Sequence, residues 1–251
     1  MLELPKMQTH RSEVIPLGIL EETKFLVIDT ETTGVDSNED RVVEIAAVAV
    51  MGNKVKTAYH TLINPQKPIP PETSAIHGIA DWDVEGKPTF EEVWPSVQAL
   101  VDRADVLVAH NAPFDRSFLP PCGKPWLDTL RLAHHVWPTA PNFQNQTLRY
   151  WRRLRLEGLA HSADGDALVT AYLLVYMIRD YLHQGHANSV DEMIKYAETP
   201  YVVRKMPFGK HGGKLLEELP PDYVQWALTN IRDIDKDLRW SLEKFAVNAT
   251  I

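Results

Sequence analysis

A short apolar segment that ends in two acidic residues constrains this chain more than any other feature of its sequence. Residues 25–28 have the composition of a buried β-strand, and Asp29 and Glu31 follow it. Successive side chains of a strand point to opposite faces, so these two carboxylates point the same way. Like charges held side by side repel each other unless a cation lies between them. The pattern predicts a metal site at a strand end, with a strand end carrying solvated acids as the alternative. Gly34 then permits a backbone conformation closed to other residues.

The segments around this strand predict an α/β fold. Residues 41–50 and 54–63 are predicted as two further strands, and short polar turns join all three into an antiparallel meander. Residues 105–109 predict another buried strand. Helices are predicted at residues 73–78, 89–103, 115–119, 130–137, 145–156 and 161–184. Strands followed by strands alternating with helices are typical of a mixed sheet covered by helices.

The chain is predicted to contain one large domain and one small one. Its 251 residues can form a large core plus a small appended unit. Residues 1–22 are predicted to be an N-terminal leader, and residues 23–187 the main domain. A linker helix is predicted at residues 188–200, followed by a C-terminal α+β module at residues 201–251 whose first segment, residues 201–206, resembles a strand.

Two features of the composition predict a location in the cytoplasm. No apolar run approaches the roughly 20 residues that a transmembrane helix needs, and the leader lacks an apolar stretch of signal-peptide length. Cys122 is the single cysteine, so no internal disulfide can form, as suits a reducing compartment. We therefore expect no membrane partner.

The charge balance leaves nucleic acid open as a partner. A net charge of −8 argues against it, but two divalent cations would bring −8 to −4. The distribution of charge also matters more than the sum. Residues 149–155 contain four arginines and residues 201–214 four basic side chains, in both cases without an acid. These two basic segments predict either contact with a phosphate backbone or solvated faces.

Two more acids occupy positions comparable to those of Asp29 and Glu31. Asp115 follows a predicted strand and opens a helix, and Asp166 begins the longest predicted helix. The sequences Asp-Thr-Glu-Thr-Thr-Gly at 29–34, Asn-Ala-Pro-Phe-Asp at 111–115 and His-Ser-Ala-Asp-Gly-Asp at 161–166 resemble, in order and spacing, the three motifs of DnaQ-like (DEDDh) 3′→5′ exonucleases. The resemblance implies a ribonuclease H-like fold with a mixed five-stranded sheet flanked by helices.

The resemblance also implies a metal centre and a general base. The metal ligands would be Asp29, Glu31, Asp115 and Asp166, holding two Mg²⁺ ions, for which Mn²⁺ would substitute. His161 would take the proton of the attacking water, since an imidazole titrates near working pH. Asp164 competes with Asp166 for the role of ligand, and the family spacing of five residues after the histidine favours Asp166.

Further residues are candidates for binding the substrate, and some have structural alternatives. His77 either lies near the bound strand or caps a turn, and Asn111 either orients a phosphate or fixes the strand-to-helix turn. Asp128 is predicted to cap its helix and not to act in catalysis. The complete set of candidate substrate-binding residues is Thr32, Gly34, His77, Asn111, Arg149, Arg152, Lys210 and Lys214.

The C-terminal module carries a second and shorter resemblance. Residues 206–214 and 219–226 are similar to the C-terminal module of exodeoxyribonuclease X-like proteins. The Gly209–Lys214 stretch is not a P-loop, because its glycine spacing is short and Leu215 stands where a Ser or Thr must hold magnesium. Its glycines and lysines could still hold DNA phosphates. Tyr201 and Phe208 either stack on bases or pack in the core.

Taken together, these patterns predict a metal-dependent 3′→5′ exodeoxyribonuclease that releases nucleoside 5′-monophosphates from single-stranded or duplex DNA 3′ ends, in DNA repair or end processing. Three alternatives remain. The chain could be a proofreading subunit like the epsilon subunit of DNA polymerase III, or an exoribonuclease or oligoribonuclease acting on RNA, because the treatment of the 2′-OH cannot be read from sequence. It could also be a catalytically inactive nucleic-acid-binding protein, although all four acids and His161 are present.

Overall fold

The computed structural model describes residues 19–156 and 162–248. The chain divides into two compact units, residues 1–197 and 198–251. The first unit contains the predicted mixed sheet, and the second contains the predicted C-terminal module. Within the described residues, no helix is both long and apolar enough to cross a membrane.

Five strands form one sheet in the first unit, in the order β3-β2-β1-β4-β5. The pairs β1–β2 and β2–β3 are antiparallel, whereas β1–β4 and β4–β5 are parallel. The predicted meander and the mixed sheet are therefore confirmed. The strands are β1 Phe25–Thr32, β2 Val42–Met51, β3 Lys54–Leu62, β4 Val106–Ala109 and β5 Trp126–Asp128. The sequence did not predict β5, because three residues are too short for a periodic pattern.

Helices cover both faces of this sheet. The longest of them packs across β1, β2 and β3, and most of its side chains are buried, as the apolar sequence predicts. A separate apolar cluster on Val93, Val97 and Val101 covers part of the sheet through another helix. The helices of the first unit are α1 Ile19–Glu22, α2 Pro71–His77, α3 Asp81–Val84, α4 Phe90–Val101, α5 Ala112–Phe118, α6 Thr129–Val136, α7 Asn145–Trp151, α8 Ala163–His183 and α9 Val190–Glu198.

The first unit extends beyond the predicted boundaries of the main domain at both ends. Leu20, assigned to the leader, is buried in the main core, and its backbone N–H donates to the Asn188 side chain at 3.1 Å. Met193 and Ala197 of α9 are buried in the same core. Residues 188–200 therefore do not form a free linker helix, because the apolar face of α9 is packed against the unit that precedes it.

The arginine-rich helix α7 is shorter than predicted. It ends at Trp151 and not at residue 156. Arg153 has a φ of 56°, in the left-handed region that interrupts a right-handed helix. The helical periodicity of the sequence continues past this point, so the break could not be read from the pattern.

The second unit is helical within its described residues. Two 3₁₀ turns, Gly209–His211 and Leu216–Glu218, precede helices α10 Pro221–Asn230 and α11 Lys236–Asn248. The predicted strand at residues 201–206 is reduced to a single β-bridge between Lys205 and Leu215. Its core is formed by Met206, Leu216, Leu219, Val224, Ala227, Leu238 and Leu242.

Candidate active site

The last residues of β1 carry the first two acids of the site. β1 lies between β2 and β4, and Glu31 pairs with Glu44 of β2. Burial raises the pKa of Asp29 well above its ordinary value, and the carboxylates of Asp115, Glu31 and Asp166 raise it further. Burial likewise raises the pKa of Glu31 to about 7, with contributions from Glu44, Asp166 and Asp115. The four acids predicted as metal ligands therefore interact electrostatically in one site.

Asp115 is held in this site by Thr30 of β1. The backbone N–H and the hydroxyl of Thr30 both donate to Asp115 Oδ1, each at 2.9 Å. Burial raises the pKa of the Asp115 carboxyl, although the two hydrogen bonds favour its ionised form. Thr30 thus fixes the side chain contributed by α5 directly onto the strand that carries Asp29 and Glu31.

The turn before α5 depends on Asn111 and Asp128. Asn111 precedes α5 with a φ of 79°, a conformation that Asn tolerates better than most residues. Its backbone N–H donates to Asp128 Oδ1 at 3.1 Å, and the same oxygen accepts from Leu130 N–H at 2.9 Å. Asp128 caps α6, which confirms that prediction, and it also anchors the turn that leads to Asp115.

Asp166 is positioned by two neighbouring amides at the start of α7. Asn145 Nδ2 donates to the Asp166 backbone carbonyl at 3.0 Å, and Gln146 Nε2 donates to Asp166 Oδ1. Arg149 then donates from Nη1 to Gln146 Oε1 at 3.1 Å, and from Nη2 to the carbonyl of Leu156. The side chains of Arg149 and Gln146 therefore form a chain of hydrogen bonds that ends on Asp166, a predicted metal ligand.

Neither of the two arginines predicted to bind phosphate is available for that role in this structure. The Arg149 side chain is hydrogen-bonded to Gln146, and the residue is only 8% exposed. Arg152 forms an ion pair with Asp180 at 3.1 Å and lies over the Trp137 ring at 4.8 Å. The charge pattern could not distinguish the buried Arg149 and the half-buried Arg152 from Arg153 and Arg155, which are exposed.

Glu44 is a residue of the site that sequence analysis did not select. Its buried carboxylate accepts the backbone N–H of Ala163 at 2.8 Å through Oε2, and lies 2.6 Å from His60 Nε2 through Oε1. Ala163 is the first residue of α8, so Glu44 ties β2 to the helix that carries Asp166. The available signal was its position as the one charge inside an apolar strand.

Asp164 belongs to a different group from Asp166. Potential ligand atoms of Glu44, His60 and Asp164 all lie within 4.8 Å of one another, the one such group of three found among the described residues. Asp164 Oδ1 accepts hydrogen bonds from Ser162 Oγ and from its neighbour's backbone at Gly165 N–H. Asp166, by contrast, contributes to the raised pKa of both Asp29 and Glu31.

The donor set is suited to hard divalent cations. The pKa values of Asp29 and Glu31 are raised by burial and by other carboxylates, which is the arrangement that a bound cation would relieve. Mg²⁺ and Mn²⁺ prefer oxygen ligands of this kind. Asp29, Glu31, Asp115 and Asp166 are the residues that could hold such ions.

The remaining candidates have different surroundings. His161 lies outside the described residues. The Thr32 hydroxyl donates to the Gly34 carbonyl at 2.6 Å. A Cβ on Gly34 would stand 2.2 Å from Asp40 Oδ2, so glycine is required for this close approach and not for a positive φ as expected. Lys210 and Lys214 are exposed in the second unit.

His77 is buried, and one of its ring nitrogens has no hydrogen-bond partner among the described residues. Its Nδ1 accepts the Ile79 N–H at 3.1 Å, so the neutral ring carries its hydrogen on Nε2. Nε2 is buried and has no hydrogen-bond partner within the described part of the chain. Burial lowers the pKa of this imidazole.

Comparison with known proteins defines the class of this fold and site. A family model described as "Exonuclease" matches residues 26–174, which include Asp29, Glu31, Asp115 and Asp166. The chain therefore belongs to the exonuclease family. A second family model, described as "Putative quorum-sensing-regulated virulence factor", matches residues 199–230 in the second unit.

Among individual relatives, the chain is similar to exodeoxyribonuclease 10 of Escherichia coli K12. The two are 31% identical over 229 residues, covering 88% of this chain and 98% of that protein. A solved structure of exonuclease X in complex with 5′ overhanging duplex DNA matches with a TM-score of 0.59 and 33% identity, covering 69% of this chain and 99% of that one. DNA polymerase III PolC-type of Caldanaerobacter subterraneus is 34% identical over 195 residues, covering 74% of this chain but only 14% of that protein.

Proposed function

We propose that the protein is a 3′→5′ exodeoxyribonuclease that hydrolyses DNA from its 3′ end with two divalent metal ions. One observation carries the proposal. Four carboxylates from β1, α5 and α8 interact at one end of the central strand, and their repulsion adds to burial in raising the pKa values of Asp29 and Glu31. The similarity to exodeoxyribonuclease 10 over almost the whole of that protein supports DNA as the substrate.

The roles of the acids follow from their surroundings. Two divalent ions, when bound, supply an activated water and stabilise the leaving 3′ oxygen. Asp29 and Glu31 would hold them from the strand, with Asp115 and Asp166 contributing from two helices. Thr30 orients Asp115 and favours its ionised form against the effect of burial, because both of its hydrogen bonds reach the same carboxylate oxygen. Gln146 of α7 orients Asp166 through a hydrogen bond to its carboxylate.

We assign the role of general base to His161, two residues before the helix that carries Asp166. An imidazole is able to accept the proton of an attacking water near neutral pH. The released nucleoside 5′-monophosphate would then leave, and the next 3′ end would enter the site. His77 is proposed to contact the substrate, because its buried Nε2–H lacks a partner and suits a phosphate oxygen.

His161→Ala tests the base assignment. We expect turnover to fall by about 10²- to 10⁴-fold, the usual contribution of a positioned base, while Mn²⁺ affinity stays unchanged. The measurements are single-turnover cleavage and calorimetric titration with Mn²⁺. A near-normal rate would remove His161 from the mechanism.

The exonuclease proposal itself is tested with a 3′-labelled DNA oligonucleotide. We expect mononucleotides to be released in Mg²⁺ and no release in EDTA or with Asp29→Asn. Absence of metal-dependent release from the wild-type protein would favour an inactive nucleic-acid-binding protein. The same assay with a 5′-labelled strand should give a ladder of progressively shortened products, as expected for removal from the 3′ end.

Two other functions of the same site are separated by simple comparisons. Rates on matched DNA and RNA oligonucleotides distinguish a deoxyribonuclease from a ribonuclease, because only RNA carries the 2′-OH. The match to a DNA polymerase III PolC-type protein keeps proofreading as a second candidate. A proofreading enzyme is expected to degrade a mismatched primer terminus much faster than a paired one.

We propose that the protein is located in the cytoplasm, where its single cysteine, Cys122, would stay reduced.

A further inference from the structure

The second unit exposes two large aromatic side chains that its core does not use. Phe208 is 46% exposed and Trp226 is 52% exposed. Neither belongs to the apolar cluster that holds this unit together around Met206 and Leu216. Packing in the core therefore does not explain the large rings at Phe208 and Trp226.

Ring contacts and the backbone beside Phe208 connect its neighbourhood to that of Trp226 through Tyr223 and His211. Tyr223 and Trp226 are three residues apart on α10, and their rings stack with centroids 5.6 Å apart. His211 packs edge-on against Tyr223 with centroids 4.2 Å apart. The loop that follows Phe208 lies against the helix, since a Cβ on Gly209 would stand 3.7 Å from Tyr223 Oη.

Charged groups around these rings favour a polyanion. Lys205, Lys210 and Lys214, which lie on either side of Phe208 in the sequence, have exposed side chains. Residues 201–214 include no acid. On the second 3₁₀ turn and α10, the exposed acids are Glu217, Glu218 and Asp222. His211 Nδ1 is buried and has no hydrogen-bond partner in the described residues. The surface thus combines flat apolar rings and lysines, and the buried His211 packs against Tyr223.

We propose that this surface, the aromatic–lysine face, binds single-stranded nucleic acid, with bases stacked on Phe208 and Trp226 and phosphates near Lys210 and Lys214. Stacking on exposed rings requires unpaired bases, which a duplex does not offer. The face is a binding site additional to the catalytic one. It rests on the proposed nuclease function only for the identity of the ligand, a nucleic-acid strand.

The experiment measures binding without turnover, using the full chain in EDTA and a fluorescently labelled oligo(dT) followed by anisotropy. Phe208→Ala and Trp226→Ala are each expected to weaken binding by about tenfold, which is typical for loss of one stacked base. Phe208→Tyr and Trp226→Phe should restore most of the affinity, since a flat ring is retained. Trp82→Ala is the matched control, because Trp82 is also exposed but lies on α3 of the first unit.

The lysines provide an independent measurement. Lys210→Gln combined with Lys214→Gln should reduce the slope of log affinity against log salt by about 1.4, at about 0.7 for each phosphate contact to a single strand. The aromatic variants should leave that slope unchanged. Binding of the Phe208→Ala and Trp226→Ala variants within twofold of wild type would overturn the proposal, as would an equal loss of affinity for blunt duplex DNA.

A substrate too small to reach a second site separates this proposal from the nuclease proposal. Hydrolysis of thymidine 5′-(4-nitrophenyl phosphate) in Mn²⁺ by the wild-type protein measures the catalytic function without a nucleic-acid strand. No hydrolysis by the wild-type protein would count against the catalytic function but leave the binding comparison valid. Parallel titrations with oligo(rU) decide whether the face accepts RNA as well as DNA. Loss of far-ultraviolet circular dichroism in the alanine variants, with affinity retained in the Tyr and Phe variants, would still support stacking.

Discussion

Without metal, the exonuclease unit should lose stability as the pH rises from 5 to 8. The ordinary pKa of Glu31, 4.5, is raised to about 7, first by burial and then by Glu44, Asp166 and Asp115. The folded chain therefore binds this proton more tightly than the unfolded chain. The penalty of ionising Glu31 is absent below about pH 4.5, grows through the interval, and is complete above about pH 7.

The size of this effect follows from the shift. At about 1.36 kcal/mol for each pH unit, the shift of Glu31 corresponds to about 3 kcal/mol of unfolding free energy. For a unit of this size, that is a fall in Tm of about 6–12 °C. Asp29 and Asp115 shift in the same direction, so they add to the fall. Bound Mn²⁺ should abolish most of it, since the cation neutralises the repulsion that bears on all three acids.

Thermal unfolding at several pH values, in EDTA and in MnCl₂, measures this effect. Glu31→Gln should flatten the dependence in EDTA, because the amide cannot ionise. Glu91→Gln on the exposed surface of α4 serves as the control and should change nothing. A Tm in EDTA that is constant or rises between pH 5 and 8 would refute the reasoning, and so would an undiminished slope in Glu31→Gln.

Three further predictions concern single residues. Asp115→Asn should abolish metal-dependent cleavage but raise Tm in EDTA at pH 8, because one of the repelling charges is removed. Gln146→Leu should weaken Mn²⁺ binding by about 10- to 100-fold in calorimetric titration, whereas Gln98→Leu, which loses an equivalent amide–carboxylate bond on α4, should not. Arg149→Met should lower the free energy of unfolding by about 1–3 kcal/mol in urea titrations, because it removes two charge-assisted hydrogen bonds to partly buried acceptors, while Arg153→Met should have almost no effect.

Strand periodicity was sufficient to predict four of the five strands of the sheet, whereas β5 was too short to show a pattern. The apolar runs define β1, β2, β3 and β4, and period-two alternation explains why Asp29 and Glu31 share a face. The family resemblance added Asp115 and Asp166, which no local pattern connects to β1. Their interaction with Asp29 in the structure agrees with the expected site.

The roles of the arginines and of Glu44 depend on tertiary contacts. A local charge pattern cannot reveal that Arg149 meets the Leu156 carbonyl or that Asp180 pairs with Arg152. Glu44 stood out in the sequence, but its partner at Ala163 lies 119 residues away. Likewise, the need for Gly34 comes from the Asp40 carboxylate packed against it and not from its own backbone angles.

The hydrogen bond between Leu20 and Asn188 has a consequence for how this unit can be used in evolution. It joins α1 to the segment between α8 and α9, so two segments far apart along the chain are neighbours at the edge of this unit. A unit built this way can be spliced into a longer polypeptide, or given a new partner at either end, without disturbing the strands between.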